Sequence, residues 1–209
     1  MKTITNLVKT SLITVTAGLF AVSANANLLI NGSFENPNVT TGNWGWFTSA
    51  NVPGWNGSNI EIWDNYGSVS AYEGSQFAEL NAHPSNGQPF SIYQSFATTF
   101  GQWYDVSFAY RARSNSSESF NLTIDNLNWL IDDHTTSGWS VFSTSFQATS
   151  SSSMISFTSV SPLTGTVGNF LDDVKVQADP TRVAEPATLA LLGLGLAGLG
   201  FSRRRLKNA

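Results

Sequence analysis

Residues 104–111 read YDVSFAYR, with a large apolar side chain at every second position. Successive side chains of a β-strand point to opposite faces. One face of this segment therefore carries Tyr104, Val106, Phe108 and Tyr110. The other face carries Asp105, Ser107 and Arg111. This alternation predicts a strand with one face in a hydrophobic core and the other outside it.

The same period of two recurs on both sides of that segment. Phe120, Leu122 and Ile124 alternate with polar residues, and further candidate strands are 59–63, 76–80, 90–97, 140–148, 153–160 and 169–177. Clusters of Gly, Asn, Ser and Pro separate them, as in proteins built from short strands and turns. We therefore predict one all-β domain over residues 27–178, folded as a two-sheet antiparallel β-sandwich.

The composition excludes several classes of function. Charged residues make up 11% of the chain and the net charge is -4, with Lys and Arg concentrated at the two termini, so the domain lacks the basic surface that nucleic-acid binding needs. The chain has no cysteine, which excludes disulfides, thiolate chemistry and cysteine-based zinc sites. The domain must be held by its core, with a hard metal ion as a further candidate.

Residues 1–26 have the order of parts found in a secretory signal peptide. Lys2 and Lys9 accompany an apolar run over residues 12–22, and residues 24–26 read Ala-Asn-Ala, a small-x-small cleavage site. A buried N-terminal helix is the alternative, but it would not require these parts in this order. We predict export through the secretion machinery and removal of residues 1–26 by signal peptidase.

The C-terminal residues have the features of a short membrane anchor. Residues 189–201 form an uncharged run of mainly Leu, Ala and Gly, and Arg203, Arg204 and Arg205 follow it. As a helix the run rises roughly 20 Å, short of a hydrocarbon core of about 30 Å, so it predicts a marginal transmembrane helix. The arginines mark the cytoplasmic side and place the β-domain outside.

This tail, residues 184–209, resembles the PEP-CTERM sorting signal, in which a Pro-Glu-Pro motif precedes a short apolar helix and a terminal basic cluster. Ala184, Glu185 and Pro186 stand at the motif, with alanine in place of the first proline. The resemblance implies an exosortase as partner, a membrane-tethered intermediate, and delivery to the cell surface or extracellular matrix by a system associated with exopolysaccharide production. An ordinary tail anchor or a buried helix would not require arginines directly after so short a run. Residues 179–183 are predicted to be a linker.

Several motifs within the domain resemble, in order, those of galactose-binding-like jelly rolls, a group that includes many carbohydrate-binding modules. The opening motif is LLINGSFE at 28–35 and the closing motif is FLDDVKV at 170–176. Pro-Gly-Trp at 53–55, Ile-Glu-Ile-Trp at 60–63 and GQWYDVSF at 101–108 lie between them. The resemblance implies a jelly-roll fold, which hosts lectin-like modules, adhesive domains and enzyme appendages, so it leaves the function open.

One residue of the closing motif conflicts with the strand pattern. Asp172 shares the alternation of Phe170, Val174 and Val176, which puts a carboxylate among residues expected to face the core. An unpaired buried carboxylate is costly. The resemblance implies a structural Ca²⁺ held by Asp172 and by Glu35 of the opening motif, with backbone carbonyls near Ser33 and the 73–74 loop completing the shell. The alternative is that Asp172 caps backbone amides or lies at a solvated strand edge.

Seven tryptophans provide the candidate ligand contacts. Trp55 and Trp103 are predicted to be structural, because one follows a Pro-Gly turn and the other begins an amphipathic strand. Trp44 and Trp46 lie in a Gly- and Asn-rich segment predicted to be a loop, where rings are less easily buried, so they are the candidates for contact with a glycan. Trp129 and Trp139, which flank residues 132–134, come next.

The sequence offers no recognisable catalytic motif. His83 and His134 stand in no nucleophile or zinc pattern, and Glu61 with Asp64, or Asp132 with Asp133, are more simply read as solvated loop charges than as an acid and base pair. The leading hypothesis is a non-catalytic surface or matrix protein that binds exopolysaccharide or another glycan. A structural or adhesive protein without glycan binding and a secreted glycosidase are the alternatives.

Overall fold

The computed structural model describes residues 26–182 and, apart from these, Leu194. The described chain forms two antiparallel sheets packed face to face. The eleven strands are β1 (Asn43–Phe47), β2 (Asn56–Gly57), β3 (Ile60–Asp64), β4 (Gln76–Glu79), β5 (Ser91–Ala97), β6 (Trp103–Arg111), β7 (Ser119–Ile124), β8 (Leu127–Ile131), β9 (Ser140–Gln147), β10 (Ser152–Ser161) and β11 (Phe170–Ala178). The six-stranded sheet has the order β1-β3-β4-β11-β6-β9, and the five-stranded sheet has the order β2-β5-β10-β7-β8. A single 3-10 turn, Ser49–Asn51, is the helical element within residues 26–182. The predicted all-β sandwich is confirmed.

The strands predicted from alternation are present, with ends shifted by at most one residue. In β6 the four apolar residues at alternate positions from Tyr104 to Tyr110 are buried, and Asp105 between them is exposed. Three strands were missed. β1 and β2 contain glycine and asparagine, which are typical of turns. β8 has no regular apolar face, since Leu127 and Leu130 are exposed and Ile131 is buried.

The core between the sheets is built largely from aromatic rings. Phe157 lies at its centre, with ring centroids 5.1 Å from Phe108, 5.8 Å from Phe120 and 6.1 Å from Trp55. Trp55 is only 2% exposed and stacks on Phe34 at 5.2 Å, so its predicted structural role is confirmed. Tilted and edge-to-face ring pairs add to the free energy gained from burying their area. Packing of this kind holds the sandwich together in a chain without disulfides.

The opening segment, residues 27–35, lies along the last strand. The Leu28 N–H donates to the Val176 carbonyl at 2.8 Å, and the Val174 N–H donates to the Gly32 carbonyl at 2.9 Å. A Cβ at Gly32 would lie 2.1 Å from the Val174 carbonyl oxygen, so only glycine allows this approach. The two ends of the domain are therefore joined by direct backbone contacts.

The face predicted for Asp172 is wrong, because β11 contains a β-bulge. The pairing of β11 with β6 shifts between Asp172 and Lys175, and Asp173 adopts a left-handed φ of 50°. Beyond the bulge, Val174 faces the core between the sheets, as does Leu171 before it. Phe170 instead packs with Trp63 and Phe77 in a second cluster on the outer side of the six-stranded sheet. Asp172 follows the alternation of Phe170 and lies on that outer face, where it is nevertheless fully buried.

The chain after β11 stays attached to the domain as far as Arg182. The Asp179 N–H donates to the Trp103 carbonyl at 2.9 Å, and the Gln102 side chain donates to the Asp179 carbonyl at 2.8 Å. The Arg182 guanidinium lies 5.2 Å above the Trp103 ring. Residues 179–182 of the segment predicted to be a linker are therefore tied to the sheet through Asp179 and Arg182, although residues 180–182 are exposed.

Several predictions fall outside the described residues. They concern the leader up to residue 25, the motif at Ala184, Glu185 and Pro186, the apolar run 189–201 and the arginines 203–205. In the part of the chain that the structure describes, no helix is both long and apolar enough to span a membrane.

Candidate functional site

The outer face of the six-stranded sheet carries a row of aromatic side chains, which we call the aromatic face. Its members are Trp44, Trp46, Trp63, Phe77 and Phe170. Strand pairing places them together, because Trp44 lies opposite Trp63 and Trp63 lies opposite Phe77 in adjacent strands. The Trp44 and Trp63 rings stack with centroids 6.3 Å apart, and Trp63 contacts Phe170 edge-on at 5.1 Å.

Trp44 and Trp46 lie on β1, the edge strand of this sheet, and not in the predicted loop. Both side chains point outward, since the inward positions of β1 go to Gly45 and Phe47, and Phe47 packs on the core. They are 38% and 46% exposed. Two indole rings two residues apart, about 7 Å along a strand, present an apolar platform at the margin of the sheet.

The centre of the aromatic face is covered by the chain itself. The β3–β4 connection, residues 65–75, crosses over it, so that Trp63 is only 4% exposed. Tyr66 meets Trp63 edge-on at 5.0 Å, and Val69 and Ala71 pack on the same cluster. Trp139 closes the other side, with its indole N–H donating to the Ser70 carbonyl at 2.9 Å. The accessible part of the aromatic face is therefore the β1 margin with Trp44 and Trp46.

A buried charged cluster lies beside Trp63. Glu61 and Glu79 are opposite each other in β3 and β4 and are 3% and 0% exposed. The Arg113 Nη1 lies 2.8 Å from both carboxylate oxygens of Glu79, and its guanidinium lies 4.7 Å above the Trp63 ring. The Gly168 N–H also donates to Glu79.

The pKa of Glu79 is strongly raised in this cluster. Burial, followed by a hydrogen bond with Glu61, raises the pKa of Glu79 from 4.5 to about 9, against the opposing effect of Arg113. The ion-pair distance to Arg113 and the raised pKa point to different protonation states when each carboxyl is taken alone. Burial and the neighbouring Glu61 favour a proton on Glu79, whereas the Arg113 guanidinium favours its charged form. The pair supports Trp63 and is closed to solvent.

Asp172 and Glu35 accept hydrogen bonds from neighbouring residues of the covering loop. Asp172 accepts hydrogen bonds from the backbone N–H groups of Tyr72, Glu73 and Asp173 at 2.8, 3.0 and 2.6 Å. Glu35 accepts from the N–H groups of Ser75 and Gln76, both at 2.8 Å. Both carboxylates therefore contact the chain on either side of Gly74 through backbone amides, which for Asp172 is the amide-capping alternative.

Gly74 marks the closeness of this packing. It has a φ of 64°, and a Cβ there would lie 2.3 Å from the Glu35 Oε1 atom.

Burial raises the pKa of Asp172 to about 8, while its three backbone donors oppose the rise. All three groups donate to the carboxylate, so the geometry favours the ionised form.

The same two carboxylates retain capacity for a cation. Each carboxylate oxygen has two lone pairs, and Asp172 Oδ1 accepts from a single N–H while Glu35 Oε2 accepts from the Ser75 hydroxyl alone. Oxygen donors of this kind are those that Ca²⁺ prefers. Within residues 26–182 no group of three or more His, Asp or Glu side chains is placed to hold a metal, so backbone carbonyls would have to complete any shell. Calcium stays a prediction, beside an amide-capping role that has explicit partners.

The remaining candidates are separated from the open margin. Trp129 packs toward the core against Phe142 at 6.2 Å. Glu61 and Asp64 differ by three positions in one strand and so point to opposite faces of the sheet, where they cannot act on one substrate. Asp133 accepts a hydrogen bond from the Tyr110 hydroxyl at 2.6 Å, and His134 is buried against two aromatic rings.

Sequence reasoning missed Glu79, Arg113 and the role of Trp63. The one signal in the sequence was the segment 60–64, where a glutamate and a tryptophan alternate with two isoleucines. All five residues are buried in the structure. That pattern predicts a strand with an outer face that is also covered. It does not identify the loop that covers it.

Comparison with known proteins places the chain in a family. No curated protein sequence matches it. A structure described as "CBM4 structure and function" is 17% identical with a TM-score of 0.44, over 72% of this chain and 99% of that one. The TmCBM61 structure in complex with β-1,4-galactotriose is 16% identical with a TM-score of 0.45, over 74% and 99%. The CBM22-1 xylan-binding domain from Paenibacillus barcinonensis Xyn10C is 11% identical with a TM-score of 0.40, over 67% and 97%. These are similarities of fold alone.

Two family descriptions cover most of the sequence. The PEP-CTERM protein-sorting motif matches residues 183–205, which confirms the predicted sorting tail and implies an exported protein anchored transiently at the membrane. The description "Protein of unknown function (DUF642)" matches residues 27–177, which is the sandwich up to the last residue but one of β11. The chain therefore belongs to the DUF642 family and carries a PEP-CTERM sorting motif directly behind that domain.

Proposed function

We propose that this protein is a non-catalytic, exported glycan-binding protein that contacts its ligand through the β1 margin of the aromatic face. The observation that carries the proposal is the pair Trp44 and Trp46, two partly exposed indoles aligned on an edge strand. The apolar C–H faces of sugar rings stack on such rings. Stacking on the buried Trp63 ring restricts Trp44, so little side-chain entropy is lost when a ligand binds.

The charges around this margin support a neutral or weakly charged ligand. Glu61, opposite Trp46, is buried and accepts hydrogen bonds from the Trp63 indole and the His83 N–H. Arg113 is paired with Glu79. Neither Glu61 nor Arg113 is free to neutralise a strongly charged polymer. A ligand at this margin would therefore bind through stacking and hydrogen bonds.

A non-catalytic role is supported by the same geometry. A catalytic carboxyl must reach the reacting atoms of its substrate. Glu61 and Glu79 are each less than 4% exposed and are held by hydrogen bonds within the protein. They act as supports of the aromatic face.

Trp46→Ala is expected to weaken glycan binding about tenfold or more, because central aromatic contacts are worth more than about 1 kcal/mol each. The measurement is affinity for soluble polysaccharides on a glycan array, followed by calorimetry with the best ligand. Phe100→Ala removes an exposed ring on a distant loop and serves as the matched control, expected to bind like the wild type. Equal binding by Trp44→Ala, Trp46→Ala and the wild type would reject this surface. Absence of any glycan binding, together with self-association, would favour the adhesive alternative.

Calcium is part of the proposal as a structural ion. Glu35 and Asp172 would hold it, and its binding would join the opening segment, the covering loop and β11, all three of which these carboxylates already contact. An ion that binds only the folded state stabilises it by a free energy that grows with the logarithm of its concentration. It would fix the loop that covers Trp63 without contacting the glycan.

Processing of the tail is expected to remove the apolar run. The exported precursor would be held with its arginines inside and its β-domain outside until an exosortase processes it near Glu185 and Pro186. Mass spectrometry of the mature protein from a host with an active exosortase is expected to find no peptide from residues 189–209. A mature chain that retains Leu189 to Ala209 would reject the processing step, and an Arg203–Arg205 triple alanine variant checks the predicted orientation.

A further inference from the structure

Both termini of the domain leave the sandwich at the same end, which we call the termini end. Leu28 bonds to Val176 near the end of β11, and Asp179 follows that strand directly. The loop of residues 98–102 lies beside them, because Gln102 bonds to the Asp179 carbonyl. The β9–β10 loop, residues 148–151, and the β7–β8 turn complete this end of the molecule.

The sorting tail begins where the fold stops. Arg182 is held by the Asp179 carboxylate at 3.3 Å and by the Ser145 hydroxyl at 3.1 Å, so the chain is anchored up to that residue. The apolar run starts at Leu189, which leaves residues 183–188 between the fold and the run. Six residues span at most about 20 Å when fully extended. While the tail is in the membrane, the termini end must therefore stay close to the bilayer surface.

The termini end also presents the most exposed large apolar side chain within residues 26–182. Phe100, at the tip of the 98–102 loop, is 76% exposed. The loop is fixed, since the N–H groups of Thr98 and Gly101 donate to the carbonyls of Ser151 and Ala148 at 3.0 and 2.8 Å. Leu28, Leu127 and Met154, which are 37%, 44% and 40% exposed, lie at the same end. A hydrogen-bonded loop thus exposes an aromatic ring to solvent at the end of the domain from which the sorting tail leaves.

We propose that Phe100 and the termini end contact the lipid surface while the precursor is tethered by its tail. Apolar and aromatic side chains on a surface lower their free energy at the boundary of headgroups and acyl chains. The tether makes this contact intramolecular, so a small apolar patch that would not bind a membrane by itself is sufficient. The contact would orient the domain with the opposite end of the sandwich directed away from the cell. The inference rests on the sorting tail and is independent of glycan binding.

The test uses the full chain, which has no cysteine of its own. Thr99→Cys, next to Phe100, and Thr164→Cys, next to the 53% exposed Leu163 at the opposite end, each receive an environment-sensitive maleimide fluorophore. The proteins are reconstituted through their tails into vesicles of phosphatidylethanolamine and phosphatidylglycerol that contain headgroup-labelled nitroxide lipid. Quenching of the Thr99 label is expected to be severalfold stronger than quenching of the Thr164 label. Phe100→Asp in the Thr99→Cys chain is expected to abolish most of that difference.

Three outcomes would overturn the proposal. The first is equal quenching at the two positions, and the second is quenching at Thr99 that Phe100→Asp leaves unchanged. The third is a Thr99 label that is shielded from solvent but not quenched by the lipid, with shielding that grows with protein density, because this would assign the patch to a second copy of the chain. None of these results bears on glycan affinity, so the two proposals fail separately.

Discussion

Asp172→Ala is expected to lower the free energy of unfolding by about 3 kcal/mol or more, because each buried donor left without a partner costs about 1–3 kcal/mol. Three backbone N–H groups, from Tyr72, Glu73 and Asp173, donate to this fully buried carboxylate. Without it they lose their partner, and the loop over Trp63 loses its hydrogen bonds to β11. Urea unfolding monitored by tryptophan fluorescence measures the change.

The matched control is Asp173→Ala. Asp173 is the neighbouring carboxylate and forms a partly exposed ion pair with Lys175 at 2.7 Å. That pair is expected to contribute less than about 1 kcal/mol, and the left-handed φ of Asp173 adds a small cost for alanine. A loss of stability for Asp172→Ala as small as that for Asp173→Ala would contradict the hydrogen-bonded role. Such a result would mean that the loop finds water or another partner for its amides.

Melting temperatures measured with calcium and with chelator distinguish the two explanations for Asp172. If the carboxylate binds Ca²⁺, excess calcium raises the melting temperature of the wild type, and Asp172→Ala and Glu35→Ala both remove that increase. If the carboxylate acts as an amide cap alone, the wild type melts at the same temperature with calcium and with chelator. The cost of Asp172→Ala then appears in full in both conditions. Metal analysis of the purified protein accompanies the measurement.

The strands and the core could be predicted from the sequence because burial acts on every residue of an alternating segment. β6 and β7 are examples, since each carries an unbroken apolar row that only the inside of a sandwich can accommodate. The C-terminal sorting tail could be predicted for a different reason, namely the fixed order of short motif, apolar run and basic cluster along the chain. The confirmed C-terminal motif needs no tertiary structure to be recognised.

The site was harder to predict because it depends on contacts between distant parts of the chain. The bulge in β11 moves Asp172 to the other face, and an extra residue in one strand leaves no mark on the apolar period before it. Trp44 and Trp46 were identified correctly as exposed, but in the wrong element, since Asn and Gly also occur on edge strands. The 65–75 loop covers Trp63 through Tyr66, and a polar loop sequence does not specify what it covers.

Glu79→Ala is expected to cost about 3 kcal/mol of stability, the range measured when one partner of a buried ion pair is removed. The change leaves the Gly168 N–H without an acceptor and the Arg113 guanidinium, 30% exposed, without its carboxylate beside Trp63. Glu79→Gln keeps an oxygen for both donors and is expected to cost much less. Glu73→Gln, in an exposed loop position, is the control for loss of a carboxylate.

The pH dependence of stability tests the raised pKa of Glu79. Because the pKa of Glu79 is raised from 4.5 to about 9 in the folded protein, the folded state binds this proton more tightly than the unfolded state does. Its contribution to stability is therefore complete below about pH 4.5 and is lost as the pH rises through about 9. Unfolding free energies measured across that window should fall with pH in the wild type and in Glu73→Gln, and the fall should be much reduced in Glu79→Gln, which cannot ionise. The same pH dependence in the wild type and in Glu79→Gln would contradict the raised pKa of Glu79, because the variant lacks the ionisable group.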